Sequence, residues 1–261
     1  MQSFTKETIN SLIEWSFATA SHTGAHITRF AMYQTLRDAL AAFDSPTKKA
    51  LAISHSAQFG REVLGIREAQ FTSVNYPESN ILSLDFPDET FDFCISDQVL
   101  EHVQGNPFDA VLETARVIKI GSYICHTTCF INGVHGHPSD FWRFTPEALK
   151  LIAECSGCDV LDVGGWGNKE AWALIDAGFR FQPIPLDPNH PLHSIATRND
   201  PEWPIVVWVI ARKRDRIAVS DTGAQLAKAL ERIAKIERSR SWKITSPLRL
   251  LAKLVGMARG K

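Results

Sequence analysis

Side chains able to do chemistry near neutral pH gather between Asp97 and Arg143 of this 261-residue chain. Four of its nine histidines lie there: His102, His126, His135 and His137. Imidazole, with an ordinary pKa of about 6.5, is the side chain best matched to moving a proton at that pH. His126 sits inside an apolar run and reads as a hydrogen-bonded packing residue. His102 follows Val99-Leu100-Glu101, and His135 and His137 follow a second apolar run, so these three are free to face a ligand. Asp140 and Arg143, three apart, suit an ion pair that ties down the loop before Thr145; the planar fork of Arg143 could instead hold a substrate carboxylate or phosphate. Imidazole and carboxylate also suit zinc or iron. The spacing of His135, His137 and Asp140 is loose and lacks a clear further ligand, so no metal is assigned. Trp142, Phe144 and Trp166 are aromatics that could shape a ring or sugar pocket.

The elements that must hold these residues alternate. Residues 5–20 and 28–43 read as two leading helices, with Thr5 a cap for the first. Short apolar runs at 50–53, 71–74, 91–96, 123–130, 159–163 and 205–211 read as strands. Between them lie helical patterns at 58–64, at Pro107–Val117, where proline suits the first turn, and after the Thr145-Pro146 pair. Strands alternating with helices predict an α/β, doubly wound, mostly parallel sheet. The run at 91–96 is apolar enough to be buried on both faces. Asp97 and Gln98 then stand at its carboxyl end, where open α/β sheets bind ligands. Two segments between the last strands, Gly164 to Asn168 and Pro183 to His193, form a long insert rich in Trp, Pro and His. Such loops are commonly functional, and this one reads as a wall of a substrate pocket.

Phe91-Asp92, Val99-Leu100-Glu101-His102 and Arg116-Val117-Ile118-Lys119-Ile120-Gly121 together resemble the class I S-adenosylmethionine-dependent methyltransferases, in the branch acting on small molecules. The likeness covers roughly residues 48–213, and Gly121 is expected to end the preceding helix. It implies a Rossmann-like fold with a seven-stranded sheet, S-adenosyl-L-methionine as cofactor, and leading helices that cover the active site. It also implies cofactor contacts from Ser54, His55, Ser56 and Gly60 after the first strand, Asn75 and Tyr76 after the second, Asn80 and Ile81 near the adenine, and Asp97, Gln98 and Val99. His102 and His135 become the catalytic candidates, and His137, Asp140, Arg143 and Trp166 the substrate candidates. The chain departs from the family by carrying Ser54-His55-Ser56 where a Gly-rich loop is usual, and Asn75 and Asn80 where carboxylates are usual.

Composition bounds the rest. At 44% hydrophobic the chain can bury one sizeable core. Its five cysteines, an odd number, read as reduced thiols of a cytoplasmic protein, and Cys155-Ser156-Gly157-Cys158 as a turn. No secretory signal or membrane-spanning run is visible. Charge is divided unevenly: residues 1–211 hold 14 Lys and Arg against 25 Asp and Glu, whereas residues 212–261 hold 14 against 4. The expected division is a helical cap over 1–45, a methyltransferase domain over 46–214 and a basic helical tail over 215–261. In the tail, Leu248, Leu251, Leu254 and Val255 make an apolar stripe beside Arg249 and Lys253, as in helices that lie on anionic membrane surfaces. The run Ser239 to Arg249 resembles tails of bacterial enzymes of surface-polysaccharide synthesis. No nucleic-acid-binding motif is present. The reading is a methyltransferase that O-methylates a small molecule or sugar in bacterial surface-polysaccharide synthesis, at the inner membrane face. The alternative is a degenerate methyltransferase fold serving as scaffold or regulatory partner.

Overall fold

The computed structural model describes residues 22–136 and 139–214, together with Glu14. The first leading helix, the basic tail and His137 therefore lie outside the described residues. The elements in chain order are β1 (Thr23–His26), α1 (Ile27–Thr35), β2 (Lys49–Ile53), β3 (Gln70–Val74), β4 (Phe91–Asp97), α2 (Pro107–Val117), β5 (Ile118–Cys129), α3 (Pro146–Cys155), β6 (Cys158–Trp166), α4 (Lys169–Leu174), β7 (Pro183–Pro185), α5 (Pro191–Thr197) and β8 (Val206–Lys213). Short helical turns occur at Ala41–Phe43, Phe59–Val63, Leu100–His102 and Ile175–Phe179.

The main sheet has the order β3-β2-β4-β5-β8-β6. Strands β2 to β5 pair in parallel, while β8 runs antiparallel to β5 and β6. Among the described residues the sheet has six strands rather than the expected seven. After β3, residues 75–90 contain no strand and make only an isolated bridge between Asn80 and Ser83. Side chains alternate between the two faces as the pleat requires. Ala50, Phe93, Ile95, Tyr123, Cys125, Trp208 and Ile210 enter one core with α1 and the 164–197 insert. Leu51, Ile53, Cys94, Ile124, Val207 and Val209 enter the other, with α2 and α3. Burying each large apolar side chain stabilises by about 1.5–3 kcal/mol, so the double-faced central strands anchor everything mounted on their ends.

Local chemistry sets the helix starts. Asn106 accepts a hydrogen bond from the Phe108 amide at 3.1 Å and Thr145 from the Ala148 amide at 3.2 Å, each followed by proline at the first helical position. The second leading helix is shorter than expected. It stops at Thr35 because the Asp38 and Leu40 amides turn to the carbonyls of Val63 and Leu64. Gly121 has φ +77, the left-handed conformation expected of it, but within β5 rather than at a helix end. There it serves a bulge, where the pairing steps from Phe91↔Ile118 to Phe93↔Tyr123.

The insert is not an open loop. It folds into α4, α5 and the small strand β7, which pairs antiparallel with β1 and packs beside α1.

Candidate functional site

The carboxyl ends of β2 and β4 are drawn together by one small side chain. Ser56 is buried; its hydroxyl donates to the Ile53 carbonyl and accepts from the Asp97 amide at 2.8 Å. Both turns use left-handed backbone: Ser54 has φ +53, His55 +63 and Gln98 +58. For residues with a Cβ this conformation is strained, and it persists where the surroundings enforce it. After β3, the Asn75 side chain accepts from the His55 amide at 3.0 Å and so fixes the strained turn. The Gln98 amide is held by the carbonyl and hydroxyl of Thr127 on β5.

Two cavities open around these turns, of 260 and 590 Å³. The first is lined by Tyr76, Asn80, Ile81, Gln98, Val99, His102 and Phe141, the second by His26, Arg29, Tyr33, His55, Ser56 and Asp97; both reach Ser54. Cavities of this size suit a small organic ligand. Asp97 is the anchor of the second. Its carboxylate accepts from the hydroxyls of Tyr33 at 2.7 Å and Thr127 at 2.5 Å, and Arg29 stands 3.7 Å away. The Tyr33 phenol is held well above its usual range by burial and by the Asp97 charge, so it stays a donor. His26 is lowered to about 4 by burial and by Arg29 and Arg180, and is neutral at pH 7.

At the edge of the first cavity a second set of polar side chains meets. His102 and His135 stand edge-to-face with ring centres 5.1 Å apart. The Glu101 carboxylate is fully buried, which raises its pKa; one oxygen accepts from Thr128 at 2.7 Å and the other has no hydrogen-bond partner. Asp140 accepts from the His135 amide at 2.8 Å and pairs with Arg143, which holds its carboxyl well below the usual carboxylate range. Arg143 also donates to the carbonyls of Trp142 and Gly133. Arg180 from the insert reaches the same place, donating to Asn132 Oδ1 at 2.6 Å, and Asn132 in turn contacts His135 Nδ1 at 3.2 Å.

Residues 39–126, about a third of the chain, match a family model described as a methyltransferase domain. Residues 39–126 carry the sequence pattern of a methyltransferase domain. An uncharacterized methyltransferase of Schizosaccharomyces pombe (strain 972) is 34% identical over 80 residues; the matched stretch spans 31% of this chain and 28% of that protein. Among solved structures, the [4+2]-cyclase SpnF is 16% identical over 81% of this chain and 98% of its own, with a TM-score of 0.44. A Mesorhizobium loti S-adenosylmethionine-dependent methyltransferase is 11% identical over 72% and 100%, with a TM-score of 0.45.

Within this methyltransferase domain and the segments around it, most of the expected cofactor residues converge. Ser54, Tyr76, Asn80, Ile81, Gln98 and Val99 line the first cavity, and His55, Ser56 and Asp97 the second. Asn75 lines neither and acts through His55. Asn80 closes its own turn, accepting from the Leu82 amide at 2.9 Å. Gly60 belongs to the core instead of the cofactor loop: a Cβ there would stand 2.7 Å from Ile95 and 2.9 Å from Phe71. Trp166 is likewise a core residue, buried between the sheet and the insert, and not part of a pocket wall. His126 is buried between the hydroxyls of Ser96 and Thr114, as a packing histidine would be. The site also contains residues that sequence reasoning missed: Glu101, Arg29, Tyr33, His26 and Arg180. Glu101 carried a signal, an acidic residue between Val99-Leu100 and His102-Val103 in the turn after β4. The other four come from segments remote from the family motifs, where nothing local marks them.

Proposed function

We propose that this chain methylates an oxygen of a small molecule or sugar that bears a negative charge. The observation that carries the reading is the continuity of the site: two cavities meeting at Ser54, with His102 at the edge of the first and His135 against it. Adenosine fits beside Tyr76, Asn80 and Ile81, and the methionine part beside Ser54 to Ser56 and Asp97. In the transfer, an acceptor O–C bond forms as the sulfonium S–C bond breaks. The bonding pair returns to sulfur, leaving a neutral thioether, and the hydroxyl proton departs. Bringing donor and acceptor into line supplies most of the acceleration. His102 and His135 are the groups beside which that proton leaves.

The charge of the acceptor is read from Arg180. Arg29 and Arg143 have Asp97 and Asp140 as partners, but among the described residues Arg180 has no carboxylate. Burial and the Arg29 charge both disfavour its cationic form. A carboxylate or phosphate on the acceptor would complete it. A uronic acid or sugar phosphate of surface-polysaccharide synthesis has this chemistry, and the same proposal gives residues 215–261 the role of a peripheral anchor to anionic membrane.

Calorimetric titration with S-adenosylmethionine tests the cofactor half. Micromolar binding, about −8 kcal/mol, is expected; no binding at millimolar ligand would end the proposal. Transfer of labelled methyl to uronic acids or sugar phosphates, and not to neutral sugars, tests the acceptor half. Flotation with anionic vesicles, compared with a chain ending at Arg214, tests the anchor; equal flotation removes it.

A further inference from the structure

We propose that Glu101, His102 and His135 bind one divalent transition-metal ion at the carboxyl ends of β4 and β5. One donor atom from each lies within 4.8 Å of the other two. That separation puts all three within about 2.8 Å of a common centre, against zinc bonds of about 2.0–2.2 Å. Small side-chain rotations close the difference. Two imidazoles and one carboxylate form the donor set that zinc, iron and manganese share, with positions left open for water or substrate.

Two further observations point to a cation. Glu101 is completely buried, yet its Oε1 has no hydrogen-bond partner. A buried carboxylate oxygen without a partner is costly, and a metal bond removes the deficit. The imidazoles are also set up as ligands through their other nitrogens. His102 Nδ1 lies 2.7 Å from the Ser139 carbonyl oxygen, and His135 Nδ1 lies 3.2 Å from both the Gly133 carbonyl oxygen and Asp140 Oδ2. Facing a carbonyl, His102 Nδ1 carries the proton, which leaves its Nε2 as a lone pair; His135 Nδ1 faces two acceptors and also the Asn132 amide nitrogen at 3.2 Å, so either of its nitrogens is open as the ligand atom. Carbonyls and carboxylates that fix the tautomer in this way are the usual supports of metal-bound histidine.

The role of the ion rests on the methyl-transfer reading. Held beside the acceptor hydroxyl, such an ion would supply Lewis-acid chemistry, lowering the pKa of that oxygen so that its proton could leave to solvent as the methyl group is transferred. With the ion bound, His102 and His135 would serve as its ligands, and the base role given to them above would pass to solvent.

Calorimetry with zinc and with manganese on chelator-treated full-length protein tests the site. One equivalent of saturable binding is expected. Glu101→Gln, His102→Ala and His135→Ala should each weaken it by about 100-fold or more, since losing only the groups that support a ligand costs 10–100-fold. His22→Ala should leave it unchanged. Glu101→Gln keeps an acceptor for Thr128, so a merely structural Glu101 would leave affinity intact in this variant. Cobalt loading gives a second readout, visible absorption bands that shift or vanish in the histidine variants. Absence of saturable binding at millimolar metal, or unchanged binding in all three variants, overturns the site. Cofactor binding measured on the metal-free protein is a separate result: its failure removes the methyl-transfer reading and leaves the metal site standing.

Discussion

The Tyr33 hydroxyl donates to Asp97 at 2.7 Å, which fastens α1 to the carboxyl end of β4. The same carboxylate takes the Thr127 hydroxyl from β5, so one side chain joins three elements around the second cavity. A hydrogen bond to a charged acceptor contributes about 1.5–3 kcal/mol. Tyr33→Phe is therefore expected to lower the unfolding free energy by about that amount in urea titrations. It should also weaken S-adenosylmethionine binding by about tenfold, because α1 forms a wall of the site. An unchanged urea midpoint would show that the contact is not formed in solution.

Ser54 makes a contrasting prediction. Its φ of +53 is a conformation that costs a residue with a Cβ about 1–2 kcal/mol and costs glycine almost nothing. Ser54→Gly should stabilise the fold by up to about 1 kcal/mol, once the greater chain entropy of glycine is counted. Ser54→Val should destabilise it by about 2 kcal/mol, since a β-branched side chain tolerates this conformation least. Thermal melting of the two variants decides. A destabilised glycine variant would mean that the serine side chain, and not its backbone, holds the turn.

Ser54 also shows how the sequence disguised its own motif. The turn after β2 takes the left-handed backbone that glycine adopts most freely, built here from Ser54 and His55 and held by Asn75. Backbone conformation is not written in residue type when a neighbour enforces it, so Ser54-His55-Ser56 gave no sign of the left-handed turn that the Asn75 side chain holds. The central strands β2, β4, β5 and β8 were legible because their apolar runs are buried on both faces. The helix starts were legible because Pro107 and the Thr145-Pro146 pair are local signals; the Asn106 cap was not read. The early end of α1 was not, since it depends on carbonyls of Val63 and Leu64 more than twenty residues away. Trp166 and Gly60 were misplaced for a similar reason: what each packs against is set by the tertiary fold.

Arg180 separates substrate binding from cofactor binding. It donates to Asn132 at 2.6 Å and lines neither cavity given to the cofactor. Arg180→Ala should raise the Michaelis constant for an anionic acceptor by about 10–100-fold, the loss of one charge-assisted contact. S-adenosylmethionine affinity should stay the same. Arg180→Lys should recover only part, because an ammonium cannot reproduce the planar fork. Equal turnover of anionic and neutral acceptors by the native protein would sink this assignment.

His126 gives the fold a pH dependence of known sign. It is fully buried between the Ser96 hydroxyl at 2.7 Å and the Thr114 hydroxyl at 3.1 Å, and burial lowers its pKa to about 4. In the unfolded chain an imidazole titrates near 6.5. Below that value the unfolded chain takes up a proton that the folded chain refuses until about pH 4. Stability is thus fully present above about pH 6.5 and is lost progressively from there down to about pH 4, by up to about 3 kcal/mol for this group. His26, also lowered to about 4, acts in the same window. Asp140 does not: its carboxyl is held low by Arg143, so its contribution is intact above the ordinary carboxylate pKa and falls only below about pH 4. Urea unfolding between pH 7 and 4.5 should therefore show a slope that His126→Asn reduces and Asp140→Asn leaves unchanged. A His126→Asn slope equal to that of the native protein would show that this imidazole is already protonated in the folded state, contrary to its burial.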